Sequence, residues 1–117
     1  MRRTFIAAAS VAAAALAIAL PALGSLTATG VAVTAGKPSE FKFTLAKKSV
    51  APGAVTFTVA NKGKLAHDFK IAGKKTVKLN AGKTTTLKVT LKAGKAAYLC
   101  TLPGHAAAGM KGTLTVK

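Results

Sequence analysis

Alternation of apolar and polar residues, broken at short intervals by turn-forming residues, is the feature that most constrains this fold. Val55, Phe57 and Val59 are separated by threonines, and an apolar residue recurs at every second position from Leu87 to Leu91. Such alternation is typical of strands that bury one face, and Gly, Pro and Asn between them favour turns. The segments with this pattern are residues 31–33, 41–45, 55–59, 67–71, 76–79, 84–91, 96–100 and 112–116.

Short strands at this spacing predict an all-β fold. About eight strands joined by tight turns indicate an antiparallel sandwich or barrel. Beyond residue 24 no apolar helical period is sustained, and residues 106–108 are too few for more than a single helical turn. We therefore expect one β domain, residues 25–117, without internal repeats.

The first 24 residues differ in character and resemble a secretory signal peptide. Arg2 and Arg3 precede an apolar segment at positions 5–20 that only Ser10 interrupts, and Pro21 follows it. This segment is short for a membrane span and usual for a signal peptide. We predict cleavage after residue 24, or alternatively after residue 28; an uncleaved signal anchor is the other reading. The paired arginines leave the general secretory and twin-arginine routes both open. The expected location is the periplasm or the extracellular side of a prokaryotic envelope.

The remaining charge comes almost entirely from lysine. Loss of Arg2 and Arg3 lowers the net charge from +16 to +14, and the acids are Glu40 and Asp68. So few acids, with only two histidines, exclude most acid–base catalysis and multi-metal enzymes. Lysines on outward strand positions protect sheet edges and attract acidic partners. Nucleic-acid binding is disfavoured, because residues 25–117 hold no arginine and most aromatic residues alternate toward the core. Contact with anionic lipid or wall polymer fits an exported protein better.

Metal-ligating residue types are concentrated near the C-terminus. Cys100, His105 and Met110 have the spacing Cys-x4-His-x4-Met, and His67 begins an upstream strand. A thiolate, two imidazoles and a thioether form the donor set of a mononuclear blue copper site, with the thioether in the weak axial position. Soft sulfur favours Cu(I) and imidazole accepts either oxidation state, so this set suits both.

Each of these residues alone has a simpler explanation. A lone cysteine is commonly a small buried hydrophobic residue, and a lone histidine or methionine is commonly structural. A free thiol is nevertheless unusual in an exported protein, and ligation of a metal would account for it. Residues 25–117 place their one Cys, both His and their one Met in compatible positions, which favours a shared metal over coincidence.

The C-terminal loop resembles the ligand loop of the cupredoxin (blue copper) family of azurins, auracyanins and plastocyanins. The segment from Cys100 to His105, followed by Met110 and the last predicted strand, carries the resemblance. The spacing between His and Met is nearer to that of auracyanins than of azurins. Asn-Lys-Gly at 61–63 followed by His-Asp-Phe at 67–69 resembles the upstream half of the family motif.

The resemblance implies a Greek-key β-sandwich with one type 1 copper ion at one end. In the family pattern, His67, Cys100 and His105 correspond to the equatorial ligands and Met110 to the axial ligand. The backbone carbonyl of Ala66 corresponds to the opposite axial position.

One position departs from the family pattern. The family usually has Asn where this chain has Asp68, and Thr101 is implied to tie the ligand loop to that segment. An ionised Asp accepts hydrogen bonds but cannot donate one, and its charge is expected to stabilise Cu(II) and lower the reduction potential.

The resemblance predicts a small, non-enzymatic protein that carries single electrons by Cu(I)/Cu(II) cycling. The downstream histidine is the partly exposed electron port in the family, which implies that role for His105. The expected partner is an acidic redox protein, such as a cytochrome, an oxidase or a reductase. This chain is expected to be a monomer and to bind its partner through a small, weak contact. Small or apolar side chains flank His105, and they would pack against the partner protein without burying charge. They are Leu102, Pro103, Ala106 and Ala107.

Copper carriage in the cell envelope, for delivery or tolerance, is the alternative function, because the same ligands could serve it. Catalytic copper is disfavoured, since multicopper oxidases and nitrite reductases need more histidines and a binuclear oxidase-type centre needs two cysteines. Structural zinc is disfavoured because a thioether is a poor zinc ligand.

Overall fold

A computed structural model describes residues 28–117, which form nine strands. The predicted signal peptide lies outside the described residues, so its cleavage stays a prediction. Among residues 28–117 there is no helix long and apolar enough to cross a lipid bilayer. The strands are β1 (Thr29–Ala35), β2 (Phe43–Leu45), β3 (Ser49–Val50), β4 (Gly53–Asn61), β5 (Lys70–Ile71), β6 (Lys74–Lys75), β7 (Thr84–Leu91), β8 (Gly94–Leu99) and β9 (Lys111–Val116).

The strands form a sandwich of two sheets, with strand orders β2-β1-β4-β7 and β3-β9-β8-β5-β6. The predicted all-β sandwich is therefore confirmed. The antiparallel pairing expected from the strand pattern holds for most neighbours, but β1 pairs in parallel with β4, and β3 in parallel with β9. Alternation in the sequence reports the period of a strand. It carries no information on how the chain crosses between the sheets, and that crossing sets strand direction.

The main core lies between the two sheets and consists of the alternating apolar residues. Phe57 in β4 and Leu114 in β9 are fully buried in it, together with Phe69 and Ile71. Burial of such side chains contributes about 1.5–3 kcal/mol each to the free energy of unfolding. The lysines of the described chain are all exposed, so the positive charge lies on the surface.

Strand bounds differ from the sequence prediction mainly where the chain bends toward one end of the sandwich. β7 has the predicted bounds, but β2 begins at Phe43 because residues 40–41 form a turn. The predicted strand at 67–71 shortens to β5, and His67 makes only an isolated bridge with Leu79. The predicted strand at 76–79 is wrong, because the strand in this region, β6, lies two residues earlier, at Lys74–Lys75. Thr76 lies outside it, and its hydroxyl accepts the Phe69 N–H. Local pattern cannot anticipate these departures, since they depend on contacts between segments distant along the chain.

A second, smaller cluster of buried residues closes that end of the sandwich. Ala35, Cys100 and Met110 are its buried members, and Phe41 and Leu102 pack against it. Ala35 ends β1 and Cys100 follows β8, so the cluster lies where strands of both sheets end. The metal-ligating residue types of the sequence meet at this apolar cluster.

Candidate metal centre

Three segments bring the candidate ligands together at this end. His67 lies in the connection from β4 to β5, where its N–H donates to the Leu79 carbonyl at 3.0 Å and its own carbonyl accepts the Leu79 N–H at 2.8 Å. Cys100 directly follows β8, and Met110 directly precedes β9. Because β8 and β9 are antiparallel neighbours, the loop between them returns Met110 to the level of Cys100.

Backbone hydrogen bonds hold the loop at 100–110 in shape. The Cys100 N–H donates to the Met110 carbonyl, and the Met110 N–H donates to the His105 carbonyl, each at 3.1 Å. The His105 N–H donates to the Leu102 carbonyl, also at 3.1 Å. Gly104 turns the chain with a φ of +80°, a conformation that other residues rarely adopt. These hydrogen bonds and Gly104 thus fix the turn that carries His105.

The donor atoms of His67, Cys100 and His105 form a tight group. The two histidine Nδ1 atoms are 3.1 Å apart, and Cys100 Sγ is 3.5 Å from His105 Nδ1. All three donors lie within 4.8 Å of one another. His67 and Cys100 are buried, whereas His105 is partly exposed. The structure therefore brings these three predicted residues together, with one edge reachable from solvent.

Met110 lies on the apolar side of this group. Its side chain is fully buried and belongs to the same cluster as Cys100 and Ala35. A thioether is a soft, weak donor that is compatible with apolar surroundings. The axial ligand roles predicted for Met110 and for the carbonyl of Ala66 stay predictions.

Burial shifts the pKa values of Cys100 and His105 toward their uncharged forms. It raises the pKa of the Cys100 thiol, against the smaller lowering effect of the Asp68 N–H, which lies 3.5 Å from Sγ. Burial also lowers the pKa of His105, and the nearby His67 lowers it further. At neutral pH His105 is thus ready to ligate without losing a proton, whereas a metal must displace the thiol proton of Cys100.

Asp68 and Thr101 are directly hydrogen-bonded. The Thr101 N–H donates to Asp68 Oδ1 at 2.6 Å, and the Thr101 hydroxyl donates to Asp68 Oδ2. Asp68 follows His67 and Thr101 follows Cys100, so the pair links the two chain segments that hold these donors. Both carboxylate oxygens accept here, which an Asn at this position could not reproduce.

Glu40 is a site residue that the sequence analysis missed. Its Oε2 lies 2.5 Å from His67 Nε2, on the ring edge opposite Nδ1. Its carboxylate also accepts the N–H groups of Lys64 at 2.8 Å and Leu65 at 3.1 Å. Led by the Lys64 N–H, these contacts lower the pKa of Glu40 to about 2. The sequence offered one signal that could have pointed to Glu40, namely that it is one of only two acidic residues in the chain.

Asn61 and Phe41 also support the site. Asn61 is fully buried, donates through Nδ2 to the carbonyls of Leu65 and Leu79 at 2.8 and 2.9 Å, and accepts the Gly63 N–H at 2.9 Å. The sequence analysis placed Asn61 in a turn and in the upstream half of the family motif, but did not anticipate these buried hydrogen bonds. Phe41, predicted as a strand residue, packs edge-on against the His105 ring with centroids 5.0 Å apart. Both residues restrict the segments that carry the histidines.

The donor set fits one copper ion of the blue type. Two imidazole nitrogens and a cysteine sulfur already face each other, and a buried thioether adjoins them. Thiolate with two imidazoles and a weak thioether is the set that copper favours in trigonal sites. Zinc in structural sites prefers four strong donors, which this group does not offer.

Comparison with known proteins agrees with this chemistry. The family model of copper-binding proteins of the plastocyanin/azurin family matches residues 29–117. No curated protein sequence matches significantly.

Solved structures of auracyanins and rusticyanin share the fold. Auracyanin B has 26% sequence identity and a TM-score of 0.68, over 77% of this chain and 89% of that one. Rusticyanin from Thiobacillus ferrooxidans has 27% identity and a TM-score of 0.63, over 75% of this chain and 76% of that one. Auracyanin A, a "blue" copper protein from the green thermophilic photosynthetic bacterium Chloroflexus aurantiacus, has 20% identity and a TM-score of 0.66, over 78% and 100% of the chains, which shows the fold alone. The chain belongs to the plastocyanin/azurin family of copper-binding proteins, the cupredoxins.

Proposed function

We propose that this protein is an exported, non-enzymatic electron carrier that holds one type 1 copper ion. The observation that carries the proposal is the convergence of His67, Cys100 and His105, with His105 alone of the three reaching solvent. We assign His67, Cys100 and His105 as equatorial ligands and Met110 as the axial ligand. When bound, copper supplies a one-electron couple, Cu(I)/Cu(II).

The chain itself supplies the contacts that hold the proposed ligands close together. The loop at 100–110 is closed by its own backbone hydrogen bonds, and the Asp68–Thr101 pair joins it to the segment of His67. Donors that stay in place in both oxidation states reduce the reorganisation that accompanies electron transfer. This rigidity favours electron transport over copper release.

His105 is proposed as the port through which electrons pass. Its Nδ1 lies 3.5 Å from Cys100 Sγ, and its ring is partly exposed. The neighbouring Leu102 and Ala106 are half-buried, and Pro103 and Ala107 are exposed. An uncharged rim of this kind can be pressed against a partner at little desolvation cost.

The exposed lysines support an acidic redox protein as partner. They would raise the encounter rate with such a partner, in a manner that salt weakens. We expect a short-lived contact between the rim and a cytochrome, oxidase or reductase, made by a monomer.

The test is to add Cu(II) to the purified chain without residues 1–24 and to record its visible spectrum. An intense thiolate-to-copper charge-transfer band is expected, and Cys100→Ser should abolish it while leaving the circular dichroism of the β fold unchanged. A correctly folded protein without this band would refute the copper site.

Redox cycling then separates electron transport from copper carriage. An electron carrier should pass repeatedly between Cu(I) and Cu(II) and retain its metal during incubation with a competing chelator. Rapid loss of copper to the chelator in either oxidation state would instead favour carriage.

A further inference from the structure

The carboxylates of the described chain are both used at the metal centre, although exposed lysines surround the rest of the surface. Asp68 holds Thr101, and Glu40 holds His67. Within residues 28–117, Glu40 Oε2 faces a histidine nitrogen at 2.5 Å, and neither carboxylate pairs with a lysine. The placement of Glu40 therefore points to a role at the site rather than to surface charge balance.

The segment that carries Glu40 is packed against the segment that precedes His67. The Lys62 N–H donates to the Ala35 carbonyl at 2.8 Å. A Cβ on Gly36 would come within 2.5 Å of Gly63, and a Cβ on Gly63 would collide with the Glu40 carboxylate. Two adjoining glycines thus allow the connection between β1 and β2 to approach the histidine segment closely.

Glu40 binds three donors of that segment at once. Oε1 accepts the Lys64 N–H at 2.8 Å, and Oε2 accepts the Leu65 N–H at 3.1 Å and faces His67 Nε2 at 2.5 Å. The two backbone contacts hold the carboxylate in the orientation in which it faces the imidazole. The His67 ring, fully buried, is therefore held from its far edge by a fixed acceptor.

This contact determines which ring nitrogen carries the proton. An ionised carboxylate can only accept, so Nε2 of His67 carries a proton in this contact, and Nδ1 is the nitrogen left to ligate. Nδ1 lies 3.1 Å from His105 Nδ1, on the side of the other donors. Carboxylates that accept from the outer nitrogen of a metal-ligating histidine set its tautomer and raise its basicity.

We propose that Glu40 is a positioning residue of the metal centre, which holds His67 in the Nε2–H tautomer and fixes its ring for ligation. The proposal rests on the proposed copper site for its effect on metal binding, whereas the tautomer itself belongs to the metal-free protein. Glu40 makes His67 the pre-oriented ligand, and the partly exposed His105 completes the site.

The first experiment records the ring ¹⁵N NMR spectrum of the metal-free protein at neutral pH. For the unmodified chain we expect His67 in the Nε2–H tautomer, with a slowly exchanging Nε2 proton. Glu40→Gln keeps the size of the side chain and should give a mixture of tautomers with a faster exchanging proton. Lys95→Gln, at an exposed residue of β8 at the opposite end of the strands, is the control for a one-unit change of net charge and should preserve the His67 tautomer.

The second experiment measures Cu(II) affinity by competition with a chelator. Glu40→Gln should lower the affinity about 10–100-fold, the usual loss when such a partner is removed, and Glu40→Asp should restore part of it. An unchanged His67 tautomer in Glu40→Gln, with affinity within twofold of the unmodified chain, would overturn the proposal while the charge-transfer band still upholds the copper site.

The outcomes separate the two proposals. A chain that binds no copper but shows the Nε2–H tautomer refutes the copper site and upholds the role of Glu40 in orienting His67. Should Glu40→Gln fail to fold, the spectrum of the unmodified chain decides alone: an Nδ1–H tautomer, or a rapidly exchanging Nε2 proton, refutes the positioning role.

Discussion

Asp68 accepts both the backbone N–H and the hydroxyl of Thr101, so one carboxylate joins the chain next to His67 to the chain next to Cys100. The backbone N–H of the same Asp68 lies 3.5 Å from Cys100 Sγ. The residue that departs from the family pattern thus restrains two proposed ligands and also places a negative charge beside them.

Asp68→Asn is expected to raise the reduction potential of the copper-loaded protein. Loss of the carboxylate charge removes an interaction that favours Cu(II), on the order of 1 kcal/mol at high effective dielectric, or about 40 mV for a one-electron couple. Voltammetry of the loaded protein measures the change. Thr101→Ser, which keeps both hydrogen bonds, serves as the control, and an unchanged or lower potential in Asp68→Asn would refute the electrostatic explanation.

Cys100 of the metal-free protein is expected to resist alkylation at neutral pH. Its side chain is buried and burial raises the pKa of its thiol, so little reactive thiolate is present. The reaction with iodoacetamide, followed by mass spectrometry, should be slow in buffer and rapid in denaturant. Equal rates in the two conditions would show that the thiol is accessible in the folded protein.

Asn61→Ala is expected to destabilise the metal-free protein by about 2–4 kcal/mol. The change leaves the carbonyls of Leu65 and Leu79 and the N–H of Gly63 without their partner, and an unpaired buried polar group costs about 1–3 kcal/mol. Urea denaturation gives the free energy of unfolding. The exposed Asn80 offers the matched control, because Asn80→Ala should change stability by less than about 0.5 kcal/mol. Similar losses in both variants would contradict the role given to Asn61.

Ala107→Asp is expected to slow electron transfer to an acidic redox protein. It places a negative charge on the uncharged rim beside His105, where that charge must be desolvated or repel the partner. Ala93→Asp makes the same substitution at an exposed residue of the turn between β7 and β8, at the opposite end of the strands from the metal centre. Stopped-flow rates at low ionic strength should fall more for Ala107→Asp, several-fold or greater, and the difference should shrink with salt. Equal rates would place the contact elsewhere.

The class of the fold could be predicted from the sequence because a strand that buries one face leaves a local period. Along β4 and β7, apolar and polar residues alternate in step with buried and exposed positions. This pattern can be recognised without knowing the neighbouring strands. Strand direction could not be predicted in the same way. The parallel pairing of β1 with β4 follows from the passage of the chain through β3 in the other sheet.

The candidate ligands could also be predicted from the sequence, because Cys, His and Met are rare in this chain and three of them are spaced as one loop requires. Glu40 was not, since 27 residues separate it from His67 and no local pattern relates them. Phe41 was assigned to a strand for a similar reason: its alternation with Phe43 is real, but the turn at 40–41 directs it to His105.

The sequence by itself determined that this chain is all-β and carries the soft donor set of a mononuclear metal site, because side-chain periodicity and donor chemistry are local properties. Only the tertiary structure decided which edge of His67 faces the donors and which carboxylate holds it. Those facts depend on contacts between the β1–β2 connection and the histidine segment, which are close in space and distant along the chain.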